Sequence, residues 1–153
     1  MGIINLAWRH HDFCAGHRVP GHEGKCRHLH GHNYRVHFGV RPVPGFWGTA
    51  TGLDGTGRVL DFGVIKDRLC EWLEQHWDHR LILWEQDFML PTLREADPGG
   101  VVTMPEPPTA ENMAAHLLRT VAPTQLRGTG AECVAVAVEE TTKCSAEAWR
   151  DDV

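Results

Sequence analysis

The sequence has no apolar run near the ~18 residues that would span a membrane. Its first residues also lack the charged and apolar regions of a signal peptide, so a cytoplasmic location is the expectation. There is no CxxC. The five cysteines, Cys14, Cys26, Cys70, Cys133 and Cys144, are odd in number and irregularly spaced. That excludes a disulfide framework and points to reduced thiols. There is no GxGxxG and no P-loop, which removes the usual nucleotide sites. Positive charge is not in excess either: a net charge of −5 argues against nucleic-acid binding. No internal repeat is present. With 42% apolar and 23% charged residues, the 153 residues read as one domain, 1–153, with a modest core.

What the chain does have is histidine, eleven in all. The most informative stretch is Cys26-Arg27-His28-Leu29-His30-Gly31-His32-Asn33-Tyr34. Strand side chains alternate faces, so His30 and His32 point the same way, with Tyr34, Val36 and Phe38. Two imidazoles on one rigid face make half of a zinc site. A third is close by: His17, in Phe13-Cys14-Ala15-Gly16-His17-Arg18. Three histidines without a fourth protein ligand leave a coordination position open, as catalytic metals require. Cys26 is then a fourth ligand, a nucleophile or a base. Its neighbours Lys25 and Arg27 favour a reactive thiol. His10, His11, His22 and His28 sit among polar neighbours and read as solvated or supporting.

Charge is unevenly placed. Residues 9–41 carry Arg9, Arg18, Lys25, Arg27, Arg35 and Arg41 against Asp12 and Glu23, a balance of +4. The remaining residues from 42 onward carry −9. The basic segment is also the histidine segment, which suggests an anionic small ligand near the metal.

Residues 3–13 read as a strand, with Ile4, Leu6 and Trp8 alternating, and residues 33–40 as a second. Residues 42–57 read as a long excursion. Asp61 is a helix N-cap, followed by Ile65, Leu69, Trp72, Leu73 and His76 at helical spacing. Residues 85–108 read as irregular. Thr109 caps a second helix carrying Met113, Ala114, Leu117, Leu118 and Val121. Residues 133–138 form a buried strand, with Cys70 and Cys133 as small core residues, and 144–149 a final strand. The order is β-β-α-α-β-β: an α+β fold, two helices on one face of an antiparallel sheet. Its open edges and uncovered face call for assembly.

Two more constellations stand out. Asp78 beside His79 is a carboxylate that can fix an imidazole's tautomer. Glu139 and Glu140 end the buried strand, where a carboxylate can clamp a heterocycle that offers two N–H donors.

Together these pieces resemble the 6-pyruvoyltetrahydropterin synthase / 6-carboxytetrahydropterin synthase family. The matching residues are Phe13 to Arg18, Cys26 to Tyr34, Val59-Leu60-Asp61-Phe62 with Lys66, Trp77-Asp78-His79, Pro108-Thr109-Ala110-Glu111-Asn112, and Val138-Glu139-Glu140-Thr141. The resemblance implies a tunnelling fold (T-fold), in which three subunits join sheets into a barrel and two trimers stack into a homo-hexamer. It implies that His17, His30 and His32 bind Zn2+, and that Cys26 is the thiol base. Asp78 with His79 would be a proton relay, often serving a neighbouring subunit. Glu140 would anchor a pterin ring, with Thr109 and Glu111 as further contacts.

Three residues separate Cys26 from His30, which looks like the 6-carboxy branch of queuosine-type deazapurine synthesis. The implied activity is a lyase reaction: 7,8-dihydroneopterin triphosphate to 6-carboxy-5,6,7,8-tetrahydropterin, with loss of triphosphate and acetaldehyde. The alternatives are a 6-pyruvoyltetrahydropterin synthase, which cleaves no carbon–carbon bond, and a non-enzymatic zinc module closed by Cys26. The basic segment is available to the triphosphate. The segments 44–57 and 91–108 depart from the family pattern and are placed near the mouth of the site.

Overall fold

The computed structural model describes residues 1–153. Six strands, β1 (Ala7–His17), β2 (His30–Pro42), β3 (Arg80–Trp84), β4 (Val101–Met104), β5 (Ala131–Thr141) and β6 (Cys144–Trp149), form one sheet in the order β4-β3-β1-β2-β5-β6. β1, β2, β5 and β6 pair antiparallel. β3 joins β1 in parallel, and β4 joins β3 in parallel.

The chain is helical over 62–76 (α1), as Phe62–Ile65, a π turn at Lys66–Cys70 and Glu71–His76. Leu90–Ala96 is a short helix, α2. A third, α3, runs over 110–125 with its own π turn at Leu117–Val121. The capping residues act as expected. The Asp61 carboxylate accepts from the Gly63 N–H at 2.7 Å, and the Thr109 hydroxyl accepts from the Asn112 N–H at 3.1 Å.

The helices cover one face of the sheet. Ile65, Leu69 and Leu73 of α1 and Met113, Leu117 and Val121 of α3 bury against Val36, Phe38, Val136 and Val138. Each fully buried aliphatic side chain adds about 1.5–3 kcal/mol of transfer free energy. Cys70 and Cys133 are in the interior, and burial pushes the Cys133 thiol up to about 12. The opposite face is open, with Trp8, Asp12, Cys14 and Arg35 exposed.

The α+β class holds, with differences of detail: β3 and β4 extend the antiparallel sheet in parallel, so the sheet is mixed, and α2 is a third helix. The first strand lies at Ala7–His17, and its core face is Phe13, Ala15 and His17; Ile4 precedes it and Trp8 is on the open face. The stretch expected to be irregular contains α2 and β4, and β3 follows His79. Leu81-Ile82-Leu83 is too short an apolar run to register as periodic, yet Ile82 and Leu83 are buried.

The 44–57 segment is not at the mouth of the site. It follows Pro42, where Val43 N–H bonds the Gly130 carbonyl and the Phe46 ring covers Gly130. The thirteen residues of β2 put roughly 40 Å of strand between that end and His30.

Candidate metal centre and active site

The register of β1 on β2 builds the centre. His17 stands opposite His30, Ala15 opposite His32 and Phe13 opposite Tyr34. Strand alternation sends His17, His30, His32 and Tyr34 to the covered face, at the end of the sheet. Gly31 lets the strands approach: a Cβ there would meet the Ala15 carbonyl oxygen at 3.1 Å. The three imidazole rings pack with centroids 4.5 to 5.1 Å apart.

Hydrogen bonds assign the tautomers. His17 Nδ1 is 2.8 Å from the Pro108 carbonyl oxygen, and His30 Nδ1 is 2.7 Å from the His28 carbonyl oxygen. A carbonyl only accepts, so each Nδ1 carries the hydrogen and each Nε2 keeps a lone pair in the neutral ring. Yet the Nε2 atoms of His17 and His30 face each other at 3.0 Å. Two lone pairs at that distance repel unless a cation lies beside both.

His32 Nε2 is buried without any hydrogen-bond partner. Burial holds the His17 and His32 imidazoles below their ordinary pKa, and so neutral. One nitrogen from each ring falls within a 4.8 Å grouping. Three convergent neutral nitrogens, one of them orphaned, fit a divalent metal ion of the zinc type.

A cleft of about 280 Å³ opens beside this centre, lined among others by His17, Cys26, Thr109, Glu111, Glu140 and Cys144. Cys26 lies on the short turn Lys25–Arg27 in the connection from β1 to β2 and is half-buried. Thr109 and Glu111 arrive at the N-terminus of α3, immediately after the carbonyl that holds His17.

Glu140 continues the inward face of Val136 and Val138, at a register shift between β5 and β6. Its Oε1 is 3.4 Å from His17 Nε2 and 3.6 Å from His32 Nε2. The Tyr34 hydroxyl lies behind the rings, buried and without a partner, and burial raises its pKa. Neither Tyr34 nor the Pro108 carbonyl was singled out as a site group by sequence. Tyr34's parity with His30 and His32 is the signal that could have marked it.

Asp78 and His79 are not in this cleft. They follow α1, and His79 lines an open groove with Cys14, His30 and Asn33. Asp78 Oδ2 is 2.8 Å from His79 Nδ1, and its Oδ1 accepts from the Cys14 N–H at 3.1 Å. Burial alone would raise the Asp78 carboxyl, but these bonds outweigh it and hold it below the usual range. His79 has a positive φ of 56°, and its N–H bonds the Cys14 carbonyl at 2.7 Å. Its side chain is 77% exposed, so the imidazole is presented outward from the chain.

The basic segment differs from expectation. Arg18 is buried against Asp87, Arg35 binds Asp12 on the open face, and Arg41 binds Glu132 and Asp152. Arg27 bonds the Glu23 and Gly24 carbonyls, and Arg9 that of Phe62. Only Lys25 of the six cations makes no such contact. The local excess of charge is mostly spent on structure.

Residues 7–151 match the family described as PTPS, 6-pyruvoyl tetrahydropterin synthase. A Rickettsia felis protein named 6-carboxy-5,6,7,8-tetrahydropterin synthase is 35% identical over 137 residues, covering 89% of this chain and 94% of its own length. A Halobacterium salinarum protein named as a probable 6-carboxy-5,6,7,8-tetrahydropterin synthase is 36% identical over 107 residues, 69% of this chain and 61% of its own. Among solved structures, an uncharacterised Wolinella succinogenes protein superposes with a TM-score of 0.79 at 24% identity, over 98% of this chain and 100% of that one. A catalytic-residue mutant of Plasmodium vivax 6-pyruvoyltetrahydropterin synthase does so with a TM-score of 0.70 at 20% identity, over 97% and 98%. The architecture is the T-fold of those proteins.

Proposed function

The chain belongs to the 6-pyruvoyl tetrahydropterin synthase family, and on that premise we propose that it is a lyase acting on 7,8-dihydroneopterin triphosphate. The products are 6-carboxy-5,6,7,8-tetrahydropterin, triphosphate and acetaldehyde. A step of that kind serves 7-deazapurine synthesis of the queuosine type in the cytoplasm. The supporting observation is one cleft that brings Cys26, Glu140 and Thr109 beside three convergent imidazole nitrogens.

His17, His30 and His32 hold Zn2+ in this reading. A bound zinc ion supplies Lewis acidity that makes the C–H bonds of the substrate side chain easier to ionise. The other work falls to the chain. Cys26, as a thiolate, takes a proton from the side chain. His79, its tautomer held by Asp78, returns one at another position. Because His79 points outward, it serves the cleft of a neighbouring copy, and the working assembly is a homo-hexamer of two trimers. Glu140 accepts two hydrogen bonds from the amino-pyrimidinone edge of the pterin, with Thr109 and Glu111 beside it.

The 4.8 Å donor grouping contains the three imidazoles and not the Cys26 thiol, which supports a base over a fourth ligand. Incubation of the zinc-loaded protein with 7,8-dihydroneopterin triphosphate tests the reading. The expected outcome is the 6-carboxy product by mass and stoichiometric acetaldehyde. A 6-pyruvoyl product without acetaldehyde assigns the other branch, and no turnover by the loaded oligomer refutes the reading.

A further inference from the structure

Residues 18–29 carry Cys26, yet almost nothing apolar holds them. Arg18 is the one buried residue of the stretch; Val19, Pro20, His22, Gly24 and Cys26 are half-buried and the rest are exposed. A connection with so little buried surface is expected to move. Its restraint is polar, and the part that ties the Cys26 turn to Asp87 converges on Arg18.

The Arg18 Nε donates to Asp87 Oδ2 at 2.6 Å, and Nη1 donates to the Arg27 carbonyl at 2.7 Å. The next residue completes the hold: Val19 N–H donates to the Cys26 carbonyl at 2.9 Å. Two successive carbonyls, those of Cys26 and Arg27, are therefore fixed by two successive residues. Those residues directly follow His17, so the thiol is referenced to the strand that carries an imidazole of the metal centre.

The other half of the clamp is rigid. Asp87 is buried, and its second oxygen accepts from the Met89 N–H at 2.9 Å, so the carboxylate is anchored by the turn between β3 and α2. The Phe88 ring lies under the guanidinium, 5.0 Å from centroid to Cζ, although Phe88 itself is 82% exposed. Only a planar fork reaches a carboxylate and a carbonyl at once; an ammonium is a single point.

We propose that Arg18 and Asp87 are positioning residues that hold the Cys26 thiol at its working place over the cleft, with the Phe88 ring as their outer brace. The proposal rests on the reading of Cys26 as the group that takes the proton. It assigns no contact with substrate to Arg18 or Asp87.

The test compares zinc-loaded wild type with Arg18→Lys, Asp87→Asn and Phe88→Ala. Four quantities are measured: zinc content, kcat and KM for 7,8-dihydroneopterin triphosphate, amide exchange over 19–28, and the iodoacetamide rate at Cys26 by peptide mapping. Arg18→Lys keeps the charge opposite Asp87 and loses the fork. The expected result is unchanged zinc, a kcat lower by about 100-fold and a KM within about twofold, because misplacement affects the chemical step more than binding. Exchange over 19–28 and alkylation of Cys26 should both speed up several-fold.

Added guanidinium ion should restore part of the kcat of Arg18→Ala and none of that of Cys26→Ala. Wild-type kcat and wild-type alkylation in Arg18→Lys overturn the proposal. If the Arg18 and Asp87 variants fail to fold, Phe88→Ala decides, because an exposed ring is not needed for folding; kcat and alkylation both unchanged there overturn it too. If the wild type itself gives no product, the function reading falls, while exchange and alkylation still judge the clamp.

Discussion

Glu139 and Glu140 are adjacent in sequence and lie on opposite faces of the sheet. Glu140 points to the cleft, its Oε1 3.4 Å from His17 Nε2, whereas Glu139 is hydrogen-bonded to His37 Nε2 on the open face. Strand alternation produces the split, because Glu140 shares its parity with the buried Val136 and Val138.

The ring anchor is therefore expected to be specific to one carboxylate. Glu140→Gln replaces one acceptor oxygen with a donor and leaves a mismatched contact of about 1–3 kcal/mol. Titration of a pterin analogue should show weaker binding in Glu140→Gln at unchanged zinc content, and wild-type affinity in Glu139→Gln. A loss in Glu139→Gln alone would move the anchor to the open face.

The metal prediction rests on the lone pairs. Wild type should retain about one Zn2+ per chain. His32→Ala should lose most of it and keep its far-UV circular dichroism, because His32 Nε2 makes no hydrogen bond that the fold depends on. Cys26→Ala should keep its zinc and lose turnover. Metal analysis that finds full zinc in His32→Ala would remove that residue from the centre.

How much of this could be read from the chain follows from what each contact depends on. The same-face placement of His30 and His32 depends on a period of two and was legible, as were the caps at Asp61 and Thr109. The pairing of His17 with His30 depends on register across a connection of twelve residues; closeness in sequence nominated His17 and the resemblance assigned it to the metal, but neither gave the register. β3 and β4 were hidden because each is short and pairs in parallel: Arg80 of β3 with Ala15 of the distant β1, and Val101 of β4 with Leu81 of β3. The partners of the basic residues were illegible for the same reason: Arg18 meets Asp87 and Arg41 meets Glu132, 69 and 91 residues away. Local charge counts cannot see such pairs.

A pH effect on stability follows from His116. Burial lowers its pKa below the ordinary value of about 6.5, with Arg119 adding to the shift and Glu106 opposing it. As pH falls through about 6.5, the unfolded chain takes up a proton that the folded chain resists, so folding loses stability on the acid side and regains it above that pH. Chemical denaturation between pH 7.5 and about 5.5 should show this loss, and His116→Gln should reduce it. A slope identical in the variant would assign the loss to other groups.

The last prediction concerns His79 and requires more than one chain. The imidazole is 77% exposed, outside the cleft that contains Cys26, while its backbone is held in a left-handed conformation by the Cys14 carbonyl. A side chain held this firmly and facing away from its own cleft suits donation to an adjoining copy. Light scattering should give a trimer or hexamer, and a 17.1 kDa monomer at micromolar concentration would contradict the shared site. Cys26→Ala and His79→Ala should each be inactive alone with zinc retained. After the two are unfolded together and reassembled, about a quarter of the cleft–neighbour pairs would join an intact Cys26 to an intact His79, as random mixing in a closed ring requires. Activity should return to about that fraction of wild type. No recovery, with mixed oligomers shown by native mass spectrometry, would place both residues in a single-chain site and require the outward-facing loop to close over its own cleft.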